Sequence, residues 1–182
     1  VSDGWDKAVS DYDRTLGTNL RGAYLVGRAA IPYLLRQGGD LVNVTTDHIH
    51  TCGWPDVVRH ADASTCPWAA VPRPPGGGTS LDLYDASKWG LNGLTHAWAR
   101  DLYPHGIRVN SFGMGATDTP MYRRFLRDRS PMPGMMSPEA IAAVLLDLLA
   151  EGSDGRTGDS IQLWVGHPCA LPPVATHPAV VT

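Results

Sequence analysis

The chain has 182 residues, a formal net charge of −3, 43% hydrophobic residues and 18% charged residues. That is the composition of one ordinary globular domain, long enough to bury a core. The acidic balance argues against nucleic acid, which selects a basic stripe, and against an anionic membrane surface. No apolar run approaches the ~20 residues of a membrane span. The opening Val1-Ser2-Asp3-Gly4-Trp5 shows neither the basic nor the apolar region of a signal peptide. Cys52, Cys66 and Cys169 are odd in number and irregular in spacing, which argues against a disulfide framework and makes a reducing cytoplasm the expected compartment.

Ser10-Asp11-Tyr12-Asp13 reads as a helix start, with polar caps and acids in the first turn. From Leu20 the positions Ala23, Leu25, Val26, Ala29, Ala30 and Leu34 recur at helical spacing, and Gly38-Gly39 ends the helix. Leu41 to Thr45 is short, apolar and β-branched and predicts a buried strand. Residues 48–80, rich in Pro and Gly, predict a long loop or insertion. Leu81 to Leu102 predicts a second long helix whose Ala86, Ser87, Gly90 and Gly93 permit close approach, with Gly106 as its stop and Ile107 to Ser111 as the next strand. Residues 114–136 predict a mobile segment. Ser137-Pro138-Glu139 opens a third helix, and Ser160 to Val165 a last strand. Strands alternating with helices predict a parallel sheet with right-handed crossovers. Three strands are few for such a sheet, so the sequence reads as part of an α/β domain.

Tyr84-Asp85-Ala86-Ser87-Lys88 carries the chemistry. On a helix, positions i and i+4 share a face, so a phenol and an ammonium become neighbours. A free phenol titrates near 10, too high for a general base at neutral pH, and a nearby cation lowers it. Tyr84 thereby becomes a candidate proton donor or acceptor for an alcohol–carbonyl pair. Alone, this spacing is weak, because chance Tyr–Lys pairs on exposed helices are common.

Four blocks in fixed order, together with a last segment, resemble the short-chain dehydrogenase/reductase family across about residues 12–166. They are Asn19-Leu20-Arg21-Gly22 within Tyr12 to Leu25; Asp40 to Thr46; Tyr84 to Leu94; and Arg108-Val109-Asn110 through Gly115-Ala116-Thr117-Asp118-Thr119-Pro120-Met121. The last segment is Gly155-Arg156-Thr157-Gly158-Asp159-Ser160-Ile161. The resemblance implies an α/β fold: a Rossmann-like parallel sheet with flanking helices, here incomplete because it lacks the first βαβαβ half. It implies Tyr84 as acid/base, Lys88 as the cation that lowers its pKa and bonds the nicotinamide ribose, and Asn19 as holder of a relay water. Thr46 falls where the family carries a serine; Ser80 is a second available hydroxyl. Gly115, Thr117 and Thr119 would border the nicotinamide. The implied cofactor is NAD or NADP, and the implied assembly a homodimer or homotetramer.

The sequence departs from the family in several places. Thr46 adds a methyl that stiffens χ1, and adjacent Thr45 is expected to face the other way. Met114 stands where the family has Pro, which removes a rigid φ. Between Thr46 and Tyr84 lie the extra residues of the insertion, with Trp54 and Trp68, expected to wall a pocket for an apolar or bulky substrate. His48, His50, Cys52, His60 and Cys66 in that stretch are zinc-ligand types, but their spacing fits no recognised motif, and no metal site is expected. No Gly-x-x-x-Gly-x-Gly turn is present, so the adenine- and pyrophosphate-binding half is not found in this sequence, and for an active enzyme it is expected from a separate chain or a further segment.

The expected organisation is a partial catalytic domain over residues 1–166, with the insertion at 48–80 and a substrate lid at 114–136, then a tail at 167–182. The expected function is an NAD(P)-dependent oxidoreductase interconverting a secondary alcohol and a ketone. The alternatives are a truncated, non-catalytic scaffold or oligomerisation protein, and a lyase or dehydratase that uses Tyr84 without net redox.

Overall fold

The computed structural model describes residues 4–50, 81–126 and 134–174. Most of the insertion, residues 51–80 with Trp54, Trp68, Cys52, His60, Cys66 and Ser80, lies outside the described residues, as do 127–133 of the expected lid.

The chain opens on α1 (Trp5–Leu16), passes through a π-helical segment (Gly17–Gly22) and continues as α2 (Ala23–Leu34). The first helix therefore starts at Trp5, five residues before the expected Ser10, behind Gly4, which offers no side-chain cap. Asp11 is not a capping acid. It lies inside the helix, paired with Lys7 one turn before it and with Arg14 at 2.6 Å. Such i,i+3 and i,i+4 pairs stabilise a helix interior as acids stabilise its start, so the sequence signal was real but misplaced. The stop is as expected: Gly38 (φ 74°) and Gly39 (φ 131°) take left-handed conformations that favour glycine.

The remaining elements are β1 (Gly39–Val44), α3 (Asp82–Leu102), β2 (Ile107–Met114), α4 (Pro120–Leu126), α5 (Pro138–Ala150) and β3 (Ser160–Leu163). The sheet is parallel in the order β1-β2-β3, with Gly39 beside Ile107 and Ser111 beside Ser160. β2 is central and buried almost throughout, and its alternate residues face opposite layers. Ile107 and Val109 pack with Ile31, Trp98, Ala99 and Leu102 of α2 and α3. Phe112 packs on the other face with Ile141, Val144, Leu148, Ile161 and Leu163. A parallel sheet covered on both faces is the expected α/β architecture. Among the described residues both outer strands are edges, and Val44 on β1 is 53% exposed. The segment expected to be mobile carries α4 and is tied at its base by a bridge between Thr117 and Met136.

Buried polar groups fix how the helices sit on the sheet. Asn43 of β1 donates to Thr95 of α3 at 2.9 Å. Ser111 of β2 and Ser160 of β3 both donate to the Asn92 side-chain oxygen of α3, at 2.7 and 3.0 Å. On the other face Arg108, with only 3% of its side chain exposed, pairs with Asp40 at 2.6 Å and donates to the Leu148 carbonyl at the end of α5. Removing one partner from such a buried set leaves the rest desolvated and unpaired. Arg108→Met is expected to cost about 3 kcal/mol of unfolding free energy in urea titrations; a loss below about 1 kcal/mol would contradict this role. Arg156 holds the Glu151 carboxyl below its ordinary value of 4.5. That stabilisation is complete above the ordinary carboxylate range and disappears as pH falls through the depressed value. Glu151→Gln is therefore expected to flatten the dependence of stability on acid pH.

Candidate active site

The C-terminal ends of β1 and β2, the first turns of α3, the π segment and the start of α4 surround a cleft of about 780 Å³. Asn19, Thr46, Tyr84, Lys88, Gly115, Thr117 and Thr119 all line it. The structure thus brings these seven nominated residues to one cleft, while Ser80, the second available hydroxyl, lies outside the described residues. The remaining wall is largely apolar, with Phe112, Met114, Met121, Ile141, Leu145 and Trp164. Ligands of open parallel sheets bind at this end of the strands, and the volume suits a small molecule.

Tyr84 and Lys88 lie one turn apart on α3, with the ammonium 5.7 Å from the phenol ring centroid. The Lys88 ammonium donates to the Val44 carbonyl at 2.8 Å, and burial lowers its pKa. Burial of Tyr84 raises its phenol above 10.0; a hydrogen bond with Thr46 pulls it down, and the charges of Asp47 and Asp85 push it up. The lowering expected from Lys88 is therefore not what the structure shows. Desolvation is the dominant cause, and the ammonium is turned toward a backbone carbonyl. At neutral pH the phenol is protonated, which is the form that donates a proton.

Thr46 is buried and its hydroxyl bonds the Tyr84 phenol, so this hydroxyl occupies the expected position. Thr45 also borders the cleft and does not point cleanly away, because the strand ends at Val44 and strict alternation ends with it. Among the described residues the buried Thr45 hydroxyl meets no hydrogen-bond partner. Asn19 sits on the π segment, whose extra residue per turn is a recurrent feature of functional sites. Its amide donates to Ser87 at 3.1 Å, and Ser87 donates to the Tyr84 carbonyl at 2.6 Å. The side chain thus ties the π segment to the turn that carries Tyr84. Gly90 packs under this segment, where an added Cβ would stand 2.9 Å from the tip of Leu20. Gly93, expected to serve similarly, meets nothing within 4 Å.

An added Cβ at Gly115 would come within 2.7 Å of the Asp47 carboxylate and 3.0 Å of Val165, so a side chain there would displace the Asp47 carboxylate. Thr117 donates to the Gly115 carbonyl at 3.0 Å. The Thr119 hydroxyl accepts from the Tyr122 amide at 3.2 Å and caps α4, leaving its proton for a ligand. Gly115, Thr119 and Lys88 all line the cleft, and the Thr119 hydroxyl and the Lys88 ammonium are donors of the kind a nicotinamide ribose would require. Among the described residues no cluster of three or more His, Cys, Asp or Glu could hold a metal.

Two cleft residues escaped the sequence reading. Tyr122 borders the site from α4, its phenol raised by burial and by the Asp47 charge. Asp47 is 3% exposed and accepts from the Thr46 hydroxyl at 3.2 Å. The available signal was a charge directly following two hydroxyl residues at the end of a buried strand.

A family model described as enoyl-(acyl carrier protein) reductase matches residues 76–166, half of the chain. The chain is 30% identical over 159 residues to the 3-oxoacyl-[acyl-carrier-protein] reductase FabG of Thermotoga maritima, covering 83% of this chain and 54% of that protein. It is 30% identical over 165 residues to the human (3R)-3-hydroxyacyl-CoA dehydrogenase, covering 86% and 54%. A solved short chain dehydrogenase/reductase family protein superposes with a TM-score of 0.62 at 30% identity, over 85% of this chain and 57% of that one. The acetoin dehydrogenase YohF from Salmonella typhimurium superposes with a TM-score of 0.59 at 26% identity, over 85% and 55%. The chain belongs to the short-chain dehydrogenase/reductase family. It spans about half the length of the curated relatives it matches.

Thr46→Ala removes the one hydrogen bond that holds the Tyr84 phenol down. Tyrosinate absorbance, taken as the difference from Thr46→Ala/Tyr84→Phe, is expected to show Tyr84 titrating at higher pH than in the unmodified protein. A downward move would contradict the assigned geometry.

Proposed function

We propose that the protein is an NAD(P)-dependent oxidoreductase interconverting a secondary alcohol and a ketone, with Tyr84 as the acid/base. The observation that carries this reading is the convergence of the Tyr84 phenol, the Thr46 hydroxyl and the Lys88 ammonium in one cleft beside the Gly115–Thr119 segment. When bound, the nicotinamide would accept or supply hydride.

The chain's own residues do the rest. The apolar walls hold the body of an apolar or bulky substrate and exclude water. The Thr46 hydroxyl orients the reacting oxygen. In the reducing direction the Tyr84 phenol gives its proton to that oxygen, and in the oxidising direction its phenolate removes one. Lys88 and the Thr119 hydroxyl hold the nicotinamide ribose end, and Asn19 keeps the Tyr84 turn against the π segment. On this reading the protein works in the cytoplasm as a homodimer or homotetramer. The other half of the dinucleotide site comes from a further segment or a separate chain beyond the exposed edge of β1.

A second reading, a non-catalytic scaffold on this fold, draws on Thr46 and Met114, which stand where the family pattern has other residues. The two separate in a screen of ketones and alcohols with both nicotinamide cofactors. The oxidoreductase reading expects cofactor-dependent absorbance changes; the scaffold reading expects none, with no cofactor binding by titration.

Tyr84→Phe is expected to lower kcat/KM by about a hundredfold or more. The sign of the pH dependence follows from the raised phenol. Reduction needs the protonated form, so its rate should hold through neutral pH and fall as pH rises through the Tyr84 pKa. Oxidation should rise over the same interval. Oxidation that is fastest at acid pH would count against Tyr84 as the base.

A further inference from the structure

The cleft holds an amine that the redox reading uses only as a cation. Lys88 lines it among Phe112, Met114, Ile141, Leu145 and Trp164. Its nitrogen bonds the Val44 carbonyl at 2.8 Å, and the Tyr84 ring centroid lies 5.7 Å away. Burial lowers its pKa, with no carboxylate opposing the shift. A lysine in water at neutral pH carries a free electron pair in only about one molecule in a few thousand. Desolvation favours that neutral form, which is the nucleophile. The bond to Val44 does not consume it, because a neutral amine still donates an N–H and keeps its electron pair. Lys7 is the other lysine of the 182 residues. It stands on α1 with 59% of its side chain exposed, paired with the Asp11 carboxylate.

We propose that Lys88 is a covalent carbonyl-binding residue, forming an imine with aldehydes and ketones of apolar body that enter the cleft. The carbonyl carbon bonds to the Lys88 nitrogen itself, so the site needs no second anchor. The electron pair of the amine forms the new C–N bond while the π pair of the carbonyl moves to its oxygen. That oxygen takes up the two protons that the nitrogen loses and leaves as water, and nothing is oxidised or reduced. The Tyr84 phenol lines the same cleft one turn away on α3 and can relay those protons. The apolar walls exclude the water that would hydrolyse the imine. No dinucleotide takes part, so the proposal stands apart from the redox reading.

The test incubates the full chain at neutral pH with benzaldehyde and sodium cyanoborohydride, which reduces an imine to a stable secondary amine. Mass spectrometry of the digested protein then follows the peptides that carry Lys7 and Lys88. Lys88 should be benzylated roughly tenfold faster than Lys7 or more, a barrier difference of about 1.4 kcal/mol. The ratio of the two rates cancels the intrinsic reactivity of the aldehyde. It should fall severalfold with glyoxylate, whose carboxylate is costly to bring into an apolar cleft. It should approach one when urea unfolds the protein.

Equal labelling of the two lysines in the folded protein, or a Lys88 preference that survives unfolding, would overturn the proposal. So would a ratio as high for glyoxylate as for benzaldehyde. The redox reading is scored separately by turnover of alcohols and ketones with the dinucleotides. A selective Lys88 adduct without such turnover would sustain the imine site and count against the oxidoreductase. Turnover without a selective adduct would do the reverse.

Discussion

Everything in the cleft depends on how α3 is seated on the sheet, and buried hydrogen bonds set that seat. Apolar packing alone tolerates sliding of a helix by a fraction of a turn. Asn43 to Thr95, and Ser111 and Ser160 to Asn92, do not, because each displaced partner would be left buried and unpaired. These bonds join α3 to all three strands. They fix its rotation and height, and therefore the direction in which Tyr84 and Lys88 leave its first turns. The π segment completes the clamp from the other side through Asn19 and Ser87.

Much of this was legible in the sequence. The helix over 82–102, its stop at Gly106 and the all-buried strand after it followed from periodicity and left-handed glycine. The candidate site followed from motif order, since Asn19, Thr46, Tyr84 and Lys88 are far apart in sequence yet share one cleft. The start of the first helix was misread because Asp11 is equally compatible with a cap and with an interior ion pair. What distinguishes them is Lys7, four residues earlier.

Electrostatics was the least legible part. Helical spacing places a cation beside a phenol but does not say where the ammonium points or how dry the phenol is. In the structure the dryness wins, and Tyr84 is held as an acid. Asp47 was invisible for a related reason. A lone aspartate after a strand reads as a loop residue until the fold wraps Gly115 and α4 around it. Burial turns that same residue into the main charge of the cleft, opposite in sign to Lys88.

The claim that the buried bonds of α3 position its reacting phenol is tested most directly by a double-mutant cycle between Asn92 and Tyr84, read in kcat/KM for ketone reduction by the full-length protein. Asn92→Ala should lower kcat/KM roughly tenfold when Tyr84 is present and have little effect in the Tyr84→Phe background, a coupling of about 1 kcal/mol or more. Equal losses in the two backgrounds would show that Asn92 supports the fold without placing the phenol, and would contradict the claim.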